Sequence, residues 1–239
     1  MVYKARVRVN GSLVAMLCSI VALAAAAPAS AAGLIYVNRC AAGCTVTPGV
    51  DNAIAGTSII PNSTSNLSAF AQGDSVFSDT VTCLRSLFAR YDVEVITANP
   101  GAVARREMML AGNAAQLGQP VGSLGVAPTG SASDNRIAFA FANDIGADPD
   151  KLCWVAAQQL GFLYALDYEF YCPDIMSASI GCGLKSFTDL AEPCGYDMAT
   201  PTCPTGGQST QNTAALLGVR AGLSDRIFLN EFELPRPAP

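Results

Sequence analysis

Large apolar side chains fall in short blocks along the chain, and the period within each block sets the element it predicts. Leu34 to Asn38 is a run of branched and aromatic residues that predicts a first strand. From Val76 to Tyr91 the residues Val76, Cys83, Leu84, Leu87, Phe88 and Tyr91 recur along one side of a helix, and Val93 to Thr97 predicts a strand directly after it. Arg136 to Ala142 alternates Ile137, Phe139 and Phe141 with Ala138, Ala140 and Ala142. That period of two makes one bulky face and one face that a neighbouring element can approach closely. Leu152 to Leu166 is apolar nearly all round except at Gln158 and Gln159, which predicts a buried helix from about Asp150 to Tyr164, capped by Asp148 or Asp150.

Between these blocks the sequence predicts loops. Asp51 to Gln72 is rich in Ser, Asn, Thr and Gly, as a surface loop requires. Asn62-Ser63-Thr64 and Asn66-Leu67-Ser68 fit a glycosylation sequon there, although an ordinary polar loop accounts for them as well. Pro100 to Ser133 predicts loops around one short strand at Met108 to Leu110. After Tyr171 the chain is cysteine-rich and irregular, with a short helix over Thr213 to Val219 and an extended proline-rich end from Glu231 to Pro239. Helix and strand alternate as in an α/β unit.

The amino terminus changes the picture of compartment. Lys4, Arg6 and Arg8 precede an apolar run from Leu13 to Ala27 and a small-residue cleavage site at Ala29-Ser30-Ala31, the pattern of a secretory signal over residues 1–31. The expected mature chain is one domain over 32–239, with a core over 34–180 and a cysteine-rich tail over 181–239, secreted or held in the periplasm or on the outer surface. A transmembrane anchor is not expected once the signal is removed. The formal charge of -5 disfavours nucleic acid as a partner. Of nine cysteines, Cys18 lies in the leader, and the other eight predict a disulfide framework with about a hundred formal pairings. Short loops favour Cys40 with Cys44, Cys172 with Cys182 and Cys194 with Cys203, which leaves Cys83 with Cys153.

The buried helix also carries the candidate chemistry. Gln158 to Tyr168 reads Gln-Gln-Leu-Gly-Phe-Leu-Tyr-Ala-Leu-Asp-Tyr, the frame of the zinc-peptidase pattern H-E-x-x-H-x-x-G-x-x-H with its chemical positions replaced. Cys172-Pro173-Asp174-Ile175-Met176-Ser177 follows at the distance of a methionine turn, and Arg136 to Asn143 is similar to the edge strand that lines the cleft. On these segments the chain resembles the metzincin peptidases over roughly 34–180. Its Cys182-Gly183, Lys185-Ser186-Phe187, Cys194-Gly195 and Gly206 to Asn212 elements resemble the tails of secreted metzincin-like proteins of myxobacteria.

The resemblance implies an α/β (α+β) zincin fold: a twisted mixed sheet with an antiparallel edge strand, two main helices, and a methionine turn at Met176. It places Gln158, Phe162 and Tyr168 at the metal-ligand positions, Gln159 at the general base, and Ala165 where a glycine ends the helix. The chain has no histidine. A carboxamide oxygen, a phenyl ring and a phenol that ionises near pH 10 do not replace imidazoles, and Gln159 cannot accept a proton as a glutamate does. The expectation is a pseudopeptidase with no catalytic residue and no cofactor, zinc being expected only in intact members. Its former cleft would bind a peptide or protein partner or serve a structural role. The alternative is an active hydrolase with a non-standard site. Asp167, Glu169 and Asp174 are its candidate oxygen ligands, and Lys151 and Lys185 sit in no nucleophile motif.

Overall fold

The computed structural model describes residues 33–179, 181–196, 203 and 209–224 of the 239. The expected leader, the segment from Gly206 to Gln208 and the proline-rich end lie outside the described residues.

The predicted first strand is β1 (Gly33–Asn38), and it sits inside a five-stranded sheet rather than at its margin. β2 (Cys44–Pro48), β3 (Thr57–Ser58) and β4 (Ser65–Leu67) form a small second sheet, the last two within the region expected to be loop. Brevity is why the pattern missed β3 and β4: two- and three-residue strands show no period. The first helix, α1 (Asp74–Phe88), begins slightly earlier than its apolar stripe and buries Phe77, Val81, Leu84 and Phe88. β5 (Val93–Ile96) follows as expected.

The stretch expected as loops around one strand holds more structure than that. β6 (Arg106–Leu110) is buried at every position, a single 3-10 turn spans Ala114–Leu117, and β7 (Gly125–Val126) comes next. β8 (Ile137–Ala140) pairs parallel with β6 and antiparallel with β7, giving the order β5-β1-β6-β8-β7. The segment from Arg136 to Asn143 is therefore interior, and β7 is the antiparallel edge. Glycine at Gly125 hid that strand, because β-propensity and alternation both fail there.

A short α2 (Ala142–Ile145) leads into α3 (Pro149–Leu163). Of the two expected caps it is Asp148 that acts, its carboxylate accepting from Lys151 N at 3.0 Å, with Pro149 in the first turn. The tail adds the β9 (Glu192–Pro193) and β10 (Thr210–Gln211) pair and α4 (Thr213–Ala221). Among the described residues the architecture is mixed α/β, with two long helices and two short ones.

Both faces of the main sheet are covered, as parallel strands require. Ala138 and Ala140 face the helical layer with Met108, Leu110, Leu160 and Leu163. Ile137, Phe139 and Phe141 face the small sheet with Val46, Leu67, Met109 and Leu117. The small side of the period-two strand thus lets α3 lie close against the sheet, and the large side fills the opposite layer. Four cysteine pairs lie at disulfide distance: Cys40–Cys44, Cys83–Cys153, Cys172–Cys182 and Cys194–Cys203, with Cα separations of 5.1, 6.1, 5.7 and 5.6 Å. The second ties α1 to α3.

Candidate functional site

The end of α3 sets the site. Leu166 N bonds back to Gly161 O at 3.0 Å, and the chain reverses through Ala165 at φ 59°, a left-handed conformation usually left to glycine. The reversal delivers Tyr168 next to Phe162, their rings edge to face at 4.8 Å, and Tyr196 packs on Tyr168 at 5.0 Å. Phe162 is buried, whereas Tyr196 is 48% exposed. The residues that the frame separates by up to ten positions are therefore brought together.

Beneath them lies the turn around Met176. Its side chain is fully buried, and a Cβ placed on Gly161 would collide with Met176 Sδ. The Gln158 amide donates both hydrogens to this turn, to Ile175 O at 3.1 Å and Ser177 O at 2.9 Å. Its oxygen accepts from Gln159 Nε2 at 3.3 Å. Asp174 holds the turn from the other side. One carboxylate oxygen accepts from Met176 N at 2.7 Å; the other accepts from Thr188 N, Thr188 Oγ1 and Thr213 Oγ1 at 2.7, 2.7 and 2.6 Å. This carboxylate fastens the cysteine-rich tail to the turn, a role with no signal in the sequence.

Two further buried groups crowd Asp174. Glu169 is 1% exposed, with neither carboxyl oxygen at hydrogen-bond geometry to a described group. Burial, then the negative charge of Asp174, pushes its pKa up to about 9. Lys185 donates to Ser177 O at 2.9 Å and Ser179 O at 2.5 Å, and burial pulls its pKa down to about 8 against the attraction of Asp174 and Glu169. Asp167 faces elsewhere: its Oδ1 accepts from Tyr168 N, while its main chain pairs with the Gln211 amide. Among the described residues no three Cys, Asp or Glu side chains gather as a metal site.

A zinc ion does not fit this donor set. The nitrogen of Gln158 faces two carbonyls and its oxygen already carries a hydrogen, while Phe162 presents a ring. Burial, with Tyr196 and Asp167 adding to it, raises the Tyr168 phenol above its ordinary pKa, so it is harder still to ionise. Gln159, where the resemblance implies a base, is buried against β7. A Cβ on Gly125 would stand 2.8 Å from Gln159 Cγ and 2.7 Å from Phe139 O, so only glycine permits this approach.

Gln158, Gln159 and Tyr168 line a cleft of about 300 Å³ together with Gly122 to Gly125, Val155, Ala178 and Tyr196. Its lining contains no charged side chain. Tyr196 and the glycine strip escaped the sequence reading because both lie in stretches without periodicity. Among the described residues no helix is long and apolar enough to cross a membrane. No family model matches the chain, and no curated protein or solved structure matches it.

Proposed function

We propose that this chain is an exported, non-catalytic member of the metzincin type whose former substrate cleft binds a polypeptide. One observation carries the reading: Gln158, at the first ligand position, is committed through both amide hydrogens to the turn that bears Met176. A side chain engaged in that way stabilises the scaffold of a zinc site without being able to hold the zinc. The packing of Phe162 on Tyr168 supports it, as do the antiparallel edge strand β7 and the buried methionine under the helix end.

The choice of a polypeptide rests on the edge strand. β7 ends the sheet order and pairs, among the described residues, only with β8, so its outer side can take an added strand beside the cleft. The four cysteine pairs suit an oxidising compartment.

Elemental analysis of the purified protein, together with a casein-cleavage assay with and without chelator, tests the non-catalytic half. The expected result is substoichiometric zinc and no cleavage. Stoichiometric zinc with chelator-sensitive cleavage sinks it.

A further inference from the structure

The hydrogen-bond chain that lines the cleft leaves one acceptor over. Both hydrogens of Gln158 Nε2 go to Ile175 O and Ser177 O, so Gln158 Oε1 must turn toward Gln159. Gln159 must answer with its own Nε2, because the flipped amide would set two acceptors face to face with no proton between them. Gln159 Oε1 is therefore fixed as the free end. It belongs to a side chain only 3% exposed, lines the cleft, and accepts no hydrogen bond from a described residue.

Gln159 Oε1 is open to the cleft, so a ligand that fills the cleft must bring it a donor or leave it unpaired at a cost. The surroundings say what that ligand is. The lining is uncharged, so a carboxylate or ammonium entering it would lose water and gain no counter-charge. Tyr168 and Tyr196 offer aromatic surface, which favours another ring at offset or edge-to-face geometry. About 300 Å³ accommodates one ring rather than a long ligand. Gly122 and Gly125 put main chain without side chain along the wall, so a bound backbone can come close.

We propose that the cleft is a subsite for a tyrosine side chain of the bound polypeptide, its ring against Tyr168 and Tyr196 and its hydroxyl donating to Gln159 Oε1. This rests on the reading of the cleft as a polypeptide site and adds a specificity to it. Phenylalanine fills the same space but leaves Gln159 without a donor, and that absence is what discriminates.

Four capped pentapeptides with Tyr, Phe, Glu or Lys between alanines, titrated into the folded protein and followed by NMR shift changes, test it. The Tyr peptide is expected to bind about tenfold more tightly than the Phe peptide, the worth of one hydrogen bond. The Glu and Lys peptides are expected to bind more weakly than either. Gln159→Leu should abolish the Tyr-to-Phe difference while keeping Phe binding, and Tyr196→Ala, at an exposed position, should weaken both. If the wild-type protein binds Tyr and Phe peptides equally, the tyrosine subsite is overturned while the polypeptide cleft stands. If it binds none of the four, both fall. The comparison on wild-type protein decides the matter even where Gln159→Leu fails to fold.

Discussion

The Gln158 side-chain amide lies 2.9 Å from the main-chain carbonyl of Ser177, so the end of α3 is joined directly to the turn that bears Met176. The same nitrogen reaches Ile175 O, and Lys185 Nζ also donates to Ser177 O. Gln158→Ala therefore orphans Ile175 O but not Ser177 O. The expected cost is about 1–2 kcal/mol of unfolding free energy, read by urea denaturation. A variant as stable as wild type would mean that water replaces the amide without loss.

Gly161 and Met176 form a second link between helix and turn. Gly161→Ala should destabilise by about 1–3 kcal/mol, because its methyl needs the space of the buried sulfur. Met176→Ala should cost about 2–5 kcal/mol through the cavity it leaves. The double variant should cost clearly less than the two together, since the new methyl enters the new cavity. Strict additivity in a double-mutant cycle would show that the two residues do not share that space.

Ala165 holds φ 59° with its methyl buried. Relieving left-handed strain gains about 1–2 kcal/mol, yet Ala165→Gly also gives up a buried methyl and frees the unfolded chain, each worth about 0.5–1 kcal/mol. The terms nearly cancel, so glycine should leave thermal stability within about 1 kcal/mol of wild type. Ala165→Val has no offsetting gain and should lose about 2 kcal/mol or more. Valine tolerated at no cost would contradict the turn geometry.

Glu169 predicts an alkaline weakness. Its folded pKa is raised from 4.5 to about 9, so its contribution is fully present below pH 4.5 and lost as pH rises toward 9. Lys185 works in the opposite sense: lowered from 10.5 to about 8, it disfavours the folded state below 8 and recovers from 8 to 10.5, flattening the fall. Between about pH 5 and 8 stability should decline with pH, at a slope no steeper than about 1.4 kcal/mol per unit for one proton. In Glu169→Gln that decline should vanish. Denaturation curves across this range check it, and an unchanged slope in the variant would assign the effect elsewhere.

The cysteine pairs differ in what they constrain. Cys83–Cys153 spans 70 positions and Cys40–Cys44 only 4. Replacing the first pair by alanine should cost about 4 kcal/mol and the second about 2 kcal/mol, on loop-closure entropy. Urea midpoints of the two double variants should fall in that order.

The long elements could be read from the order of residues alone, because their signals are local. The stripe from Val76 to Tyr91, the alternation from Arg136 to Ala142 and the apolar run around Gln158 each repeat often enough to set a period, and the lack of histidine removes imidazole chemistry whatever the fold. The short elements could not be read, since β3, β4 and β7 have too few residues to show alternation. Nor could the edge of the sheet: which strand lies outermost depends on pairing between distant segments, and β7 takes that place over the more regular β8. The meeting of Gln158 with Ser177, of Asp174 with Thr188 and Thr213, and of Tyr168 with Tyr196 was decided by tertiary structure. Each joins segments whose separation carries no periodic trace, and each gains its strength only when burial removes competing water.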